Sequence, residues 1–347
     1  MTKKRRQYGI PEVDGNLETG SWRIWDMHVH LDMIVRHCER VRLDVENKRQ
    51  QLLSENSLKT LPEVPVVPNV SRLVEDSVVA GISGLLHCAC ELDDINALPS
   101  VLDTVESVPA VRSLGAIAIH PNESVLHAAG KGGHTELLQV ADDGLDPPKL
   151  EQRHFENDLD DCLNRIDELL NTDARIRVVG ETGLDYFRSA PIAKTVQQES
   201  FRGHIALAKK HNIPVQIHDR NAHEDVVKIL LETTPSVALF HSFSGDVALA
   251  ELCVANGWYA SFSGPVTFKP NKDLRSAFRY IYEHAPELLL IETDAPFLTP
   301  EPNRGRTNSP AQIFHTLTFL AEMLDVQRET LCKLFSDNSS RVLNLDE

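Results

Sequence analysis

Short apolar runs recur along the whole chain, and several of them end in a polar residue of one chemical kind. WDMHVH (Trp25–His30), VVGE (Val178–Glu181), VQIH (Val215–His218) and ALFH (Ala238–His241) each end on an imidazole or a carboxylate, and LLLIETD (Leu288–Asp294) ends on an acid. Brief apolar runs bounded by turn residues read as buried strands. The pattern predicts strands at Arg23–Met27, Gly84–Cys88, Leu114–Ile119, Ile176–Gly180, Pro214–Ile217, Val237–Phe240, Gly257–Phe262 and Leu288–Ile291. Between most of them apolar residues return at helical spacing. In Thr195–His211, for example, Val196, Phe201, Ile205 and Ala208 recur on one face. Ala222–Thr233, Asp246–Asn256 and Ser309–Leu324 follow the same rule, and Gln327–Leu345 reads as one or two short helices. Strands alternating with helices predict an α/β fold with a parallel sheet, and eight strands is the number that closes a barrel. Parallel strands carry their C-terminal ends to one face, so the terminal imidazoles and carboxylates are expected to converge on a metal centre.

Two stretches break the alternation. Ile34–Asn69, after the first strand, opens with a charged amphipathic pattern in which Val35, Cys38, Val41, Val45 and Leu52 fall near one face. It continues through Pro62, Pro65 and Pro68 as a stiff extended connector. Asn122–Glu151, after the third strand, carries Gly130, Gly132, Gly133, Gly144, Pro147 and Pro148 and reads as a mobile loop. Both are taken as insertions. Either could be solvated and functionless, but loops after barrel strands sit on the catalytic face, so both are expected to border the site. Residues 1–22 read as an N-terminal extension and 1–347 as a single domain without internal repeats.

Composition narrows the function classes. With 35 Lys and Arg against 51 Asp and Glu the net charge is −16, a field that repels polyanions and disfavours tight, non-specific DNA binding. No apolar run approaches the roughly 18 residues of a membrane span. The start MTKKRRQYGIPEVDG is basic but lacks the apolar core of a secretory signal. Six cysteines show no spaced framework, so reduced thiols and a cytoplasmic location are expected. Cys88 and Cys90 are a CxC pair within an apolar run and read as buried strand residues rather than a zinc site.

The chemistry follows from residue types at strand ends. His28 and His30 are two apart, so an extended strand turns them the same way and makes a geometric chelate, with Nε2 ligation at roughly 2.0–2.1 Å open to both. A carboxylate just past a buried strand, as at Glu181, is costly unless paired or ligated, and its two oxygens can each bind a metal. His218 and His241 each cap an otherwise apolar strand. Any one of them alone reads as a satisfied core or loop histidine; all of them in strand order do not. Asp294 is either a last-strand acid that ligates a metal and accepts a proton from water, or a turn aspartate before Ala295–Pro296.

The segments resemble those of the TatD family, metal-dependent deoxyribonucleases among the amidohydrolase-like barrels. Asp26-Met-His28-Val-His30-Leu-Asp32 matches its opening D-x-H-x-H-L-D pattern. Gly180-Glu181-Thr182-Gly183-Leu184-Asp185-Tyr186 matches G-E-x-G-L-D-Y, and Ile217-His218-Asp219-Arg220 matches I-H-x-R. His241-Ser242-Phe243-Ser244-Gly245 matches H-x-F-S-G, and Glu292-Thr293-Asp294-Ala295-Pro296 matches E-T-D-A-P. The matches keep the family order and span most of the chain.

The resemblance implies a TIM (β/α)8 barrel with a two-metal site, here with insertions after strands 1 and 3. By motif position His28, His30, Glu181 and Asp294 would hold one divalent ion, and Glu181, His218 and His241 the other. Glu181 stands where related barrels use a carbamylated lysine, and Asp294 would orient or deprotonate the attacking water. His and carboxylate donors suit Zn, Mn and Ni, and the family keeps Mg and Mn in play. Arg220, His120 (in an H-P element), Asp185, Tyr186, Arg304 and Arg306 are the candidate substrate contacts. For Arg220 a surface or salt-bridged role, for Asp185 and Tyr186 structural support, and for Arg304 and Arg306 an ordinary polar turn stand as alternatives. The expected activity is hydrolysis of DNA phosphodiesters from single-stranded ends. Amide, lactone or small phosphoester hydrolysis on the same barrel is the alternative. A non-catalytic partner-binding barrel is disfavoured, because it leaves the ligand set without a packing rationale. DNA is the expected partner; no membrane or stable protein partner is implied.

Overall fold

The computed structural model describes residues 9–11, 23–55, 60–138 and 149–345. Its centre is eight parallel strands hydrogen-bonded in sequence order: β1 (Ile24–Val29), β2 (Ile82–Ala89), β3 (Arg112–Ile117), β4 (Ile176–Asp185), β5 (Val215–Arg220), β6 (Ala238–Phe240), β7 (Tyr259–Phe262) and β8 (Leu289–Ile291). The first strand is tied back to the segment after the last. Val29 bridges Ala295, His30 N donates to the Ala295 carbonyl (2.9 Å), and Asp294 N donates to the His28 carbonyl (3.0 Å). The buried Asp26 carboxylate adds two bonds, accepting from Thr293 N (2.9 Å) and Thr293 Oγ1 (2.6 Å). The result is a nearly closed TIM barrel.

Helices fill the connections. α1 (Leu31–Ser54) and α2 (Val70–Val79) lie between β1 and β2, and α3 (Leu92–Glu106) between β2 and β3. α4 (Pro121–Gly130), α5 (Gln152–Glu156) and α6 (Leu159–Thr172) lie between β3 and β4. α7 (Lys194–His211), α8 (His223–Thr233), α9 (Val247–Asn256) and α10 (Lys272–His284) follow β4 to β7 in turn, and α11 (Ile313–Leu324) and α12 (Arg328–Val342) follow β8. On α7, Phe201, Ile205 and Ala208 form a buried apolar face. Among the described residues no helix is long and apolar enough to cross a membrane.

The predicted strands are all present, with shifted ends. β1 runs on to Val29 and β4 to Asp185, so His28 and Glu181 sit inside strands rather than beyond them. The sequence pattern does not single out α2, α3, α5, α6 or α10. The segment after β1 turns helical at once, since α1 starts at Leu31, directly after His30. Residues 60–69 carry neither helix nor strand. Most of the N-terminal extension lies outside the described residues.

The second insertion corrects the sequence reading: Asn122–Gly130 is helix, not mobile loop. Pro121 occupies the first turn, where its missing N–H costs nothing, and the His120 ring caps the helix by accepting from Asn122 N (3.1 Å). Gly130 is required by packing, since a Cβ there would lie 2.2 Å from the His154 carbonyl oxygen. A buried polar clamp holds the segment down. Glu123 Oε2 accepts from His154 Nε2 (3.0 Å) and from Arg153 Nε and Nη2 (both 3.3 Å), while Arg153 also reaches Glu91 and Asp93 at the base of α3. His154 Nδ1 accepts from Glu151 N (2.8 Å), so its Nε2 carries the proton. The ring is therefore a donor to Glu123, and the cluster reads as a clamp rather than a metal site. Residues 139–148 of the insertion lie outside the described residues.

Candidate metal centre

The barrel face on which the strands end gathers His28 and His30 from β1 and its end, Glu181 from β4, His218 from β5, His241 after β6 and Asp294 after β8. His28 Nε2 and His30 Nε2 are 3.0 Å apart. Asp294 Oδ1 is 3.8 Å from each of them, and Glu181 Oε2 lies at 3.4 and 3.9 Å. The other Glu181 oxygen, Oε1, faces His218 Nδ1 (2.5 Å) and His241 Nε2 (3.0 Å). His28, His30, Glu181 and His241 are nearly inaccessible to solvent.

Close approach of β4 and β5 makes this convergence possible. A Cβ on Gly180 would lie 2.5 Å from Gln216 Cβ, and one on Gly183 (φ +137°) would lie 2.1 Å from the His218 carbonyl oxygen. Only glycine lets the Glu181 strand lie against these neighbours. Asp294 sits at φ 55°, a left-handed conformation that aspartate tolerates better than most residues.

The second ring nitrogens decide what the site can hold. His30 Nδ1 donates to the Cys88 carbonyl (2.9 Å), which leaves a lone pair on Nε2 in the neutral ring. His28 Nδ1 meets Gln216 Oε1 (2.8 Å), and Gln216 is oriented because its Nε2 donates to the Met27 carbonyl (2.8 Å). His28 Nε2 is thus also a lone-pair site. His241 Nδ1 donates to the buried Glu292 carboxylate (3.0 Å), which also accepts from Ser242 N (2.6 Å). Three imidazoles therefore direct lone pairs at one another and at Glu181, an arrangement that repels unless a cation or protons occupy it. The donor set fits divalent metal.

Proton energetics agree. Burial, reinforced by the neighbouring His28, pushes the His30 ring down to about 3, keeping it neutral. Burial also opposes charging His218, but Glu181 and Asp185 outweigh it and hold the ring at about 10 in the absence of metal. Burial lifts Asp294 to about 6 against the pull of His241 and His28. Glu181 stays ionised far below the usual carboxylate range, because His241 and His218 overcome its desolvation.

The remaining candidates divide. His120 has Nδ1 committed as the α4 cap, so its Nε2 is a donor; it points at Glu181 Oε1 (3.6 Å), and burial holds the ring at about 4. That suits a substrate contact and not a ligand. Asp185 accepts from Asn122 Nδ2 (3.0 Å) and Phe187 N (3.0 Å) and also faces His218 Nε2 (3.5 Å). Arg220 stacks its guanidinium over Phe187 at 4.0 Å. The Tyr186 hydroxyl donates to Asp225 Oδ2 (2.8 Å) and accepts from Gln198 Nε2 (2.8 Å), which ties it to α7 and α8. Arg304 lies over the Phe268 ring at 4.1 Å, and Arg306 donates to the Ile10 carbonyl (2.7 Å). Both line a groove beside the β8 loop.

The family described as TatD related DNase matches residues 25–344. The chain belongs to the TatD family. A metal-dependent hydrolase named TatD from Mycobacterium tuberculosis is 35% identical over 243 residues, covering 64% of this chain and 90% of its own. The hydrolase YabD of Bacillus subtilis is 38% identical over 180 residues, covering 51% and 69%. Among solved structures, the TatD homologue YjjV of Escherichia coli K12 superposes with a TM-score of 0.67 at 20% identity, over 94% of this chain and 100% of that one. The chain is a TatD-family metal-dependent hydrolase on a TIM barrel.

Within this TatD barrel the residues that orient the histidines escaped the sequence reading. Gln216 was legible in part: it is a polar residue between Val215 and Ile217 in a buried strand, with nothing local to satisfy it. Glu292 lies in the E-T-D-A-P motif but gave no sign of serving His241. Cys88 and Cys90 are buried as expected and also touch the centre. The Cys88 thiol meets Gln216 Oε1 (3.3 Å), and the Cys90 thiol meets Glu181 Oε2 (3.8 Å). Burial and the Glu181 charge raise the Cys90 thiol well above its ordinary range, so it stays a protonated donor.

Proposed function

We propose that this TatD-family hydrolase is a two-metal phosphodiesterase that releases nucleotides from single-stranded DNA ends. Glu181 carries the reading. Its Oε2 faces His28 and His30 while its Oε1 faces His218 and His241, so one carboxylate would serve both histidine pairs in holding metal. His28, His30, Glu181 and Asp294 would hold one ion, and Glu181, His218 and His241 the other. Zn and Mn suit these donors, with Mg as the activating alternative. Bound divalent ions supply Lewis acidity at a phosphoryl oxygen and lower the pKa of a coordinated water.

The chain's own groups do the rest. Asp294 would accept the proton of the attacking water. His120 offers its Nε2–H to a phosphate oxygen beside Glu181. Arg220, stiffened on Phe187, supplies a planar fork that matches a second pair of phosphate oxygens. Asp185 holds His218 and the α4 start in place. An acidic protein that grips DNA through metals and a few arginines neutralises few phosphates, which favours strand ends over long tracts. The six cysteines are all unpaired and buried, which supports a reducing, cytoplasmic setting.

The test is a substrate screen on metal-reconstituted protein, with single-stranded DNA, a small phosphodiester, an amide and a lactone. The expected result is release of mononucleotides from DNA ends, abolished by a chelator and restored by divalent ion. Apparent affinity should fall with salt with a slope of only about −1 to −2. Intact DNA beside a hydrolysed amide or lactone would overturn the reading.

A further inference from the structure

Beside the metal centre lies a groove of about 700 Å³ walled by two segments that are far apart in sequence. One wall is the outer part of α1, with His37, Val41, Val45 and Lys48; the other is the β8 loop from Pro296 to Thr299 together with Arg304 and Arg306. This volume lies in the range of small-ligand sites.

Three features give the groove a chemical identity. Its inner end is the ring of Phe297, 47% exposed although large and apolar. That ring stands edge-to-face to His30 at 6.4 Å between centroids, and its backbone N–H donates to the Asp294 carbonyl (2.8 Å). The groove therefore begins where the metal centre ends. Three cationic side chains, Lys48, Arg304 and Arg306, line it against one carboxylate, Asp44, on a chain whose net charge is −16. Arg304, solvent-exposed, lies over the Phe268 ring at 4.1 Å, which steadies its guanidinium. An exposed aromatic ring beside cationic side chains is the combination on which unpaired bases stack next to phosphate contacts.

We infer that this groove receives the nucleotide next to the scissile phosphate, with its base on Phe297 and the following phosphate toward Arg304. The inference rests on the phosphodiesterase reading and adds a base-binding subsite to it. Only an unstacked base can lie on Phe297, so single strands are selected over duplex by the α1 wall and the β8 loop together.

Two measurements on the metal-loaded enzyme test this. The first compares a thymidine trinucleotide with analogues in which one nucleoside is replaced by tetrahydrofuran. Loss of the base on one side of the scissile bond should raise KM, more than it lowers kcat, by roughly five- to a hundredfold, the worth of one stacked base. Phe297→Ala should erase that discrimination, and Phe297→Tyr should restore it. The second measures binding of thymidine 5′-monophosphate against inorganic phosphate. Phe297→Ala, Arg304→Ala and the groove-filling Val41→Trp should each lower the ratio of the two affinities by about tenfold or more. If no diester is cleaved but the nucleotide ratio still depends on the groove, the phosphodiesterase reading fails and the subsite stands. Nucleotide binding no tighter than phosphate, or a ratio indifferent to all three substitutions, overturns the subsite.

Discussion

Gln216 on β5 fixes the tautomer of His28 on β1: its Oε1 accepts from His28 Nδ1 at 2.8 Å, and its Nε2 is spent on the Met27 carbonyl. The amide cannot flip without losing both bonds, so His28 presents a lone pair at Nε2 whenever its ring is neutral. Such orienting partners are worth about 10- to 100-fold in metal affinity. Gln216→Leu should weaken metal binding by that factor with the barrel intact, measured by competition with a chromophoric chelator. Unchanged affinity would mean that His28 holds its orientation by packing alone.

Glu181→Gln removes the charge between the two histidine pairs and keeps the shape. At least one equivalent of metal should be lost on purification, read by elemental analysis, and hydrolysis should fall with it. Two retained ions with full activity would remove Glu181 from the site.

How far the sequence foretold this structure differs from element to element. β1, β4, β5 and β6 were legible because a short apolar run ending in His or Glu sets a polar group at the edge of the core, where it is costly without a partner. Their ends were misjudged because Glu181 and Asp185 look like residues that should leave a strand. They stay inside β4 because β5 brings His218 alongside. Gln216 was invisible as an orienting group because its partner His28 is 188 residues away. α4 was hidden by composition: Pro121 and Gly130 read as loop markers, yet one suits a helix start and the other meets the His154 backbone. For Tyr186 the motif leaves substrate contact and structural support open, and its bond to Asp225 comes from a helix that no local pattern connects to it.

On the proposed reading Asp294 both holds metal and accepts the proton of the attacking water. It lies 3.8 Å from both His28 and His30 Nε2, and burial raises its carboxyl above the usual aspartate range in the metal-free protein. Asp294→Asn should therefore cut kcat by about 10²-fold or more while KM changes little. Near-normal turnover would leave Asp294 a turn residue.

The Glu123 clamp should matter to stability and not to chemistry. Its carboxylate is the shared acceptor of His154 and Arg153; its loss strips the buried His154 Nε2–H of its acceptor, while Arg153 keeps Glu91, Asp93 and Glu151. Leaving one buried donor unsatisfied costs about 1–3 kcal/mol. Glu123→Ala should lower the unfolding free energy by that amount in urea, with metal content unchanged. A variant as stable as the parent would mean that apolar packing of α4 suffices to hold the insertion.

The pH dependence of the centre has a definite sign. His218 lies between Glu181 Oε1 at Nδ1 and Asp185 Oδ2 at Nε2. Burial works against its charge, but the two carboxylates prevail and raise it from 6.5 to about 10. A folded-state value above the unfolded one means that the protonated ring stabilises the metal-free protein. That contribution is fully present below 6.5 and is lost as pH rises through about 10. The chelated protein should therefore melt progressively lower across this window. Metal binding runs the other way. To ligate, the ring must release its proton, so affinity weakens as pH falls, by up to about tenfold per unit for each proton displaced. Calorimetry near neutral pH in two buffers of different ionisation enthalpy should count at least one proton released on metal uptake. A chelated protein with flat melting across the window, and metal uptake without proton release, would show that His218 is already neutral and that Glu181 and Asp185 do not govern it.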